Sequence, residues 1–344
     1  MSLKRILVTR TDRIGDVVLV TPVLSALRKK FPNSYVSMLV KPYTREIVEN
    51  NPDINEIIVD DFEPGLIGIL KLAKLLKKKK FDVTAVMFPS WRIAFATFFA
   101  RIPVRIASGY RIYSFLFNKR VYVHRSKVEK HEVEYNFDIV SYLGVKSDIE
   151  KCRIFLDKSD ILFADEFFKA NGLSGSIVVG IHPGSGGSAL NWPVDNYAKL
   201  ADSIVKEKDI KILITGGIAD KEIVEKTAKI MYKKSVKLEK EITIKQLAAL
   251  ISKCSLFISG STGPMHIAAA VSTPTLSFFC PIHVCGPVRW GPWGNKNISL
   301  TPHGLCCKLC NIDSCKYYNC MERITIEEAR HRALELLKEV NTDA

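Results

Sequence analysis

"CSLFISGSTGPMHIAAA", residues 254–270, runs from a short apolar segment into Gly-Ser-Thr-Gly-Pro and then an alanine-rich stretch carrying one histidine. The apolar run reads as a buried strand, and the small residues after it as the turn into a helix. Pro264 lacks an N–H and suits the first helical turn, while Gly263 lets a ligand approach the backbone closely. The first amides of a helix have no intrahelical acceptor, so this strand, turn and helix form an anion cradle. Thr262 adds a hydroxyl, and His266, one turn in, an imidazole. An ordinary helix start with His266 bonded in the core accounts for the same residues.

The pattern recurs outward from this stretch. "IVVGIH" (177–182) leads into the small-residue loop "PGSGGSALNWP", and "KILIT" (211–215) into "GGIADKE". In the first half, "RILVTR" (5–10) precedes "TDRIGD", with further strands expected at 35–40, 56–60 and 81–88. Helical periodicity fills the gaps: Val20, Val23, Leu24, Leu27 and Phe31 share one face, with a bend at Pro22, and another helix is expected over 66–79. Strands alternating with helices predict an α/β fold of parallel sheets covered by helices. "KANGLSGS" (169–176) reads as a linker. The expected organisation is two Rossmann-like doubly wound domains facing a cleft, over 1–170 and 171–325, followed by a last helical segment within 326–344. Ligands of such sheets bind beyond the strand carboxyl ends.

Bulk composition narrows the classes. The chain has 344 residues, 47% hydrophobic and 25% charged, with formal net charge +14. No signal-peptide pattern opens it, and no apolar run reaches the roughly 18 residues of a membrane span, so a cytoplasmic protein is expected. The positive balance points to an anionic partner or an anionic membrane face. "KLLKKKKFD" (74–82) reads as a solvated helix end. "YRIYSFLFNKRVYVHRSKVEKHE" (110–132) interleaves aromatics with cations, which suits a lipid interface; no nucleic-acid motif accompanies it, and nucleic acid is not expected as a partner. Five of the nine cysteines fall in "CCKLCNIDSCKYYNC" (306–320). Without export a disulfide framework is not expected, and Cys307, Cys310, Cys315 and Cys320 have spacing for a structural zinc or iron, or stand as reduced thiols. Cys280, His283 and Cys285 are further candidate ligands, or shape a loop.

The loops after the expected strands carry the chemistry. Gly184, Ser185, Gly186 and Gly187 can wrap a pyrophosphate with backbone amides, or form a plain connection. Asp220 and Glu222 can accept from ribose hydroxyls, or simply open a helix. "TRTDRIGD" (9–16) concentrates Arg10, Asp12, Arg13 and Asp16 in one turn. Asp16 is either a helix cap or a general base toward a sugar hydroxyl, with a basicity that the helix end should lower further.

"RTDRIGDVVLVTPVLSALRKKFP", "IHPGSGGSALNWP", "ITGGIADKE" and "GSTGPMHIAAAVSTPTLSFF", in this order, resemble the ADP-heptose:lipopolysaccharide heptosyltransferases of glycosyltransferase family 9. The resemblance covers nearly the whole chain. It implies a GT-B architecture, with acceptor-binding N-terminal and nucleotide-sugar-binding C-terminal domains and a final helix that returns to the first. By position it implies Asp16 as base, Ser185 near the donor phosphates, Glu222 at the ribose, and Ser261, Thr262, Gly263, Pro264, Met265 and His266 at the phosphate turn. Arg10, Asp12 and Arg13 fall to the acceptor. Two positions depart from the family pattern: Leu190 stands where many members have lysine, and Ser261 where many have an acid.

The function expected is inverting transfer of heptose, from ADP-heptose, to a phosphorylated glycolipid such as a lipopolysaccharide inner core, at the cytoplasmic face of the inner membrane. No cofactor is required for that step if helix ends and cations meet the leaving charge. The departures keep open a GT-B transferase or epimerase with another nucleotide sugar, and a catalytically weak sugar-nucleotide-binding protein. A dehydrogenase is disfavoured because no G-x-G-x-x-G follows the first strand.

Overall fold

The computed structural model describes residues 3–146, 150–187, 189–206, 209–238, 240–305, 307 and 319–342. They divide into two compact units, Met1–Phe155 and Leu156–Ala344.

The first unit is built on a six-stranded parallel sheet: β1 (Arg5–Thr9), β2 (Tyr35–Val40), β3 (Glu56–Val59), β4 (Val83–Val86), β5 (Val104–Ser108) and β6 (Lys119–Val121). The order across the sheet is β3-β2-β1-β4-β5-β6. Ile6, Leu7 and Val8 of β1 are wholly buried, as expected of a central strand covered on both faces. The helices are α1 (Ile14–Val18), α2 (Thr21–Lys30), α3 (Gly65–Lys78), α4 (Trp91–Phe99) and α5 (Glu132–Val140). Pro22 does more than bend one helix. It occupies the first turn of α2, where a missing N–H costs nothing, so the expected helix is two. Lys77 and Lys78 close α3, as a solvated helix end requires.

The second unit repeats the plan with β7 (Ile177–His182), β8 (Ile210–Ile214), β9 (Ser235–Lys237), β10 (Leu256–Gly260), β11 (Thr275–Phe278) and β12 (Asn297–Leu300). Its order, β12-β11-β10-β7-β8-β9, is the same winding read from the other edge. Helices α6 (Lys158–Ala170), α7 (Val194–Val205), α8 (Lys221–Ile230), α9 (Ile244–Ser252), α10 (Gly263–Ala270), α11 (Pro287–Trp290) and α12 (Ile326–Thr342) cover it. Both sheets therefore carry a switch point, between β1 and β4 and between β7 and β10, where chains depart in opposite directions.

The domain organisation differs from expectation. The division falls at Phe155–Leu156, because α6 packs against α9 and belongs to the second unit. Lys245 of α9 clamps the start of α6 through Asp157 and Asp160, at 2.7 and 2.8 Å. The stretch 169–176 is no linker: Leu173 is buried in a core with Phe168, Val178 and Leu213. The terminal helix, expected to return to the first unit, packs in the second. Its Ala329, Ala333, Leu336 and Leu337 join the core of the second sheet, where α12 lies against α7. Trp192 Nε1 donates to the Ile324 carbonyl at 3.0 Å and fixes the approach to that helix.

Candidate active site

At the first switch point, the chain leaving β1 passes Arg10, Asp12 and Asp16. Arg10 is only 2% exposed. Its Nε donates to Asp12 Oδ1 at 2.7 Å and its Nη2 to Asp16 Oδ1. Its Nη1 donates to Glu132 Oε1 at 3.1 Å and to Asn136 Oδ1 at 3.3 Å, both on α5. The start of α5 is set by a reciprocal capping pair, with His131 Nδ1 accepting from Val133 N–H and the His131 N–H donating to Glu134 Oε2. That start puts Glu132 and Asn136, four residues apart, on one helix face toward Arg10. Arg125 adds a second guanidinium, with Nε 3.2 Å from Glu132.

Asp16 therefore does not cap α1. The cap residue is Arg13, without a side-chain bond, and the Asp16 carboxylate is turned to Arg10. Its basicity is also not lowered. Burial pushes its pKa up to about 6, Asp12 and Glu132 push the same way, and Arg10 opposes them. Three carboxylates around two guanidinium groups leave excess negative charge, which disfavours one more ionisation. For Arg10, burial alone would lower the pKa, but Asp16, Asp12 and Glu132 outweigh it and hold the group charged. Arg10 was expected to touch an acceptor; it is instead the buried hub of the carboxylates. Arg13 remains exposed, and Tyr43 donates its hydroxyl to the Asp12 carbonyl.

The second switch point has a different chemistry. His182 ends β7 in full burial, with Nδ1 3.1 Å from Thr215 Oγ1 and Nε2 3.8 Å from Asp220 Oδ2. Burial pulls its pKa down to about 4, against the field of Asp220, so the ring is neutral. Asp220 accepts from the Gly217 N–H at 3.0 Å and lies beneath the small-residue loop. A Cβ on Gly184 would sit 2.4 Å from the Asp220 carboxylate, so that position accepts only glycine without a shift. Asn191 ties the other end of the loop. Its Nδ2 donates to the Pro183 carbonyl at 2.7 Å, and its Oδ1 accepts from Trp192 N–H and Tyr197 O–H. A Cβ on Gly260 would lie 2.2 Å from that Oδ1.

Beside this loop, α10 begins as the sequence predicts, with Thr262 at the cap and Pro264 in the first turn. Thr262 makes no capping bond, and its Oγ1 is buried without a partner among the described residues. The Gly263 and Met265 amides belong to the first turn and have no intrahelical acceptor. Met265 and His266 are both buried. Ser185 Oγ accepts from the Gly187 N–H at 3.2 Å, shaping its own loop. Ser261 is half-buried, and Glu222 lies exposed in the first turn of α8. The Leu190 side chain rests on the core and brings no charge. An orphaned hydroxyl beside open amides, with a neutral imidazole behind a glycine loop, suits a diphosphate without a metal ligand set.

The cysteine expectation gains nothing here. Cys310 and Cys315 lie outside the described residues, and Cys320 is buried in the core of the second unit. Among the described residues no three His, Cys, Asp or Glu side chains are grouped to hold a metal ion. Cys280 and Cys285 are hydrogen-bonded to one another, which draws the Cys285 thiol down to about 7 and pushes Cys280 up.

Glu132, Asn136, His182 and Asn191 were not among the site residues expected from sequence. His182 and Asn191 bracket the quoted loop, where their places at a strand end and before Trp-Pro were a usable signal. Glu132 meets Arg10 across 122 residues of chain, which no local pattern reveals.

The chain is similar to several known proteins. The lipopolysaccharide core heptosyltransferase OpsX of Haemophilus influenzae is 27% identical over 85% of this chain and 82% of its own. The lipooligosaccharide heptosyltransferase 2 of Campylobacter jejuni is 26% identical over 96% of each. A further Haemophilus influenzae protein, 28% identical over 87% of this chain and 90% of its own, is named only as a glycosyltransferase. In structure, the family 9 glycosyl transferase of Veillonella parvula superposes with a TM-score of 0.89 and 25% identity over 98% of both chains. The model of glycosyltransferase family 9 (heptosyltransferase) matches residues 69–319, from α3 through the phosphate turn to the cysteine stretch. With two GT-B-type Rossmann units and this match over most of its length, the chain belongs to glycosyltransferase family 9, the heptosyltransferase family.

Proposed function

We propose that this family 9 enzyme moves a heptose, with inversion, from ADP-heptose to a hydroxyl of a phosphorylated inner-core glycolipid at the cytoplasmic membrane face. The reading rests chiefly on one observation: a half-buried carboxylate, Asp16, held by Arg10 at the carboxyl end of the first sheet, whose pKa is pushed up to about 6. A base needs a pKa near working pH, and this one is ionised at neutrality yet more basic than an ordinary aspartate. The acceptor oxygen attacks the anomeric carbon as the carbon–oxygen bond to the diphosphate breaks. The hydroxyl proton passes to Asp16, and the nucleoside diphosphate departs. The leaving charge meets the Gly263 and Met265 amides, the Thr262 hydroxyl and Ser185. Glu222 is proposed for the ribose, and Asp12 and Arg13 for the acceptor head.

The test is Asp16→Asn, assayed with ADP-heptose and a membrane glycolipid extract. We expect turnover to fall about 10²–10⁴-fold, as for loss of a general base, with calorimetric ADP binding unchanged. Near wild-type turnover removes Asp16 from the mechanism.

A second reading keeps the transfer and changes the donor. It draws on Leu190 and Ser261, which leave the phosphate loop without the lysine and the acid of the family pattern. A panel of nucleotide sugars decides: the donor with the largest kcat/KM names the sugar, and release of an altered free sugar without acceptor would indicate an epimerase.

A further inference from the structure

Past the ends of β5 and β6 the chain holds an ordered group of aromatic rings that the proposed transfer does not use. The two strands pair in parallel through Ser108 and Val121. The Gly109 N–H donates to the Val121 carbonyl at 3.0 Å, which carries the pairing beyond both strand ends. Side chains alternate along such a segment. Val123 is turned in and buried, so Tyr122 and His124 stand together on the outer side. Tyr110 joins them from the neighbouring strand end. Its ring meets Tyr122 edge to face, 5.4 Å between centroids, and lies 4.3 Å from the His124 ring. Its hydroxyl is hydrogen-bonded to His124 Nε2. A Cβ on Gly109 would fall 2.7 Å from Tyr122 Cε1, so the glycine leaves the seat that this ring occupies.

Rings held in mutual contact like this form a small core when another element covers them. Here Tyr122 is 62% exposed, Tyr110 47%, and His124 is exposed as well. The surface is ordered and aromatic, with phenol and imidazole groups on its rim. It matches a ligand that has an apolar face and a polar edge. A pyranose ring is such a ligand, since its axial C–H bonds can lie over an aromatic face while its hydroxyls bond to the rim. An acyl chain would gain nothing from the rim, and a free phosphate nothing from the rings.

A short run of contacts ties this group to the carboxylate site. The His124 carbonyl accepts from Tyr135 Oη on α5 at 3.3 Å. The next residue, Arg125, pairs with Glu132 at 3.2 Å. Glu132 also accepts from Arg10, which holds Asp16. One helix, α5, therefore supports both the aromatic group and the proposed base.

We infer that Tyr110, Tyr122 and His124 form a platform on which a sugar ring of the acceptor stacks, placing a neighbouring hydroxyl for Asp16. The inference rests on the glycolipid reading for the acceptor's identity. The stacking itself is read from ring geometry and exposure, without reference to the transfer.

The test uses the full chain with the membrane glycolipid extract and with the same extract freed of its acyl chains by alkaline hydrolysis. Tyr122→Ala should raise the acceptor KM about tenfold or more for both forms, the usual scale for truncating an aromatic anchor. The kcat and the ADP-heptose KM should stay within about twofold. Tyr122→Leu fills the seat on Gly109 without a ring and should behave like the alanine variant. Tyr122→Phe keeps the ring and should restore the acceptor KM to within about threefold of wild type. Tyr232→Ala, a 95% exposed tyrosine of the second unit, is the control and should change nothing. An acceptor KM unmoved by the alanine and leucine changes overturns the platform, as does a loss that phenylalanine fails to rescue. An effect confined to the acylated form overturns it too, because the rings would then be receiving lipid. The two readings fail separately. Transfer with an unmoved acceptor KM sinks the platform alone. Without any transfer, saturation-transfer NMR of the deacylated extract still reads the platform: contact to sugar protons that Tyr122→Ala abolishes upholds it, and contact absent from wild type or unchanged in the variant sinks it.

Discussion

The two units wind their sheets in the same order and place opposite chemistries at the same point of the fold. At the end of β1 the first unit gathers three carboxylates around a buried guanidinium. At the ends of β7 and β10 the second gathers glycines, a neutral imidazole and a hydroxyl without a partner among the described residues. The winding fixes where loops converge, and the loop residues decide what that convergence can do. Excess negative charge suits the first point to the proton acceptance proposed for it, and small residues with a helix start suit the second to the anion proposed there.

The largest effect that can break this division is that of Asp16→Asn, where turnover and donor binding should part company. The converse changes belong to the second unit. Gly184→Ala and Gly260→Ala force a Cβ against Asp220 or Asn191, and each should raise the donor dissociation constant about tenfold or more by calorimetry. If either instead lowered kcat with donor affinity intact, the second site would be doing more than binding. Thr262→Val keeps the shape and removes the hydroxyl. Donor affinity should fall about three- to tenfold, the loss of one hydrogen bond to a charged group. An unchanged affinity would mean that the orphan hydroxyl serves no ligand.

Glu132→Gln sharpens the comparison from the other side. Glu132 raises the Asp16 pKa through its charge, so its neutralisation should move the acidic limb of the kcat/KM profile to lower pH. A merely structural glutamate would change the height of the profile and leave the limb in place. The smallest effect expected is on stability. A carboxyl group whose pKa rises on folding contributes stability that is complete below its unfolded pKa and is lost as pH rises through the folded value, here about 6. Above that pH the ionised Asp16 opposes folding, so Asp16→Asn should raise the melting midpoint of the first unit by about 2–4 °C at neutral pH. The gap should narrow toward pH 4.

Much of the fold was legible because a buried parallel strand advertises itself. Ile6 to Val8, Val178 to Ile181 and Leu256 to Ile258 are short apolar runs that stop at small or charged residues. The turn into α10 was legible for the same reason: glycine and proline act locally. The unit boundary was not, because α6 looks like any amphipathic helix and its allegiance is decided by Lys245, far along the chain. The terminal helix likewise reveals its apolar face but not which sheet receives it. The candidate site was half legible. Asp16 could be singled out by its neighbours in sequence, yet its basicity depends on burial and on Glu132, both products of tertiary folding. Charge position at the loop was readable, and charge environment was not.

The proposed catalysis requires Asp16 to be a carboxylate tuned by its surroundings to accept a proton. The pH dependence of the single-turnover rate, with donor saturating and acceptor in excess, reads that group directly. The rate should climb with pH and reach half its plateau near the value of about 6 that burial imposes on Asp16. A rate that is flat through that window, or half-maximal near the ordinary aspartate value of about 4, would contradict it.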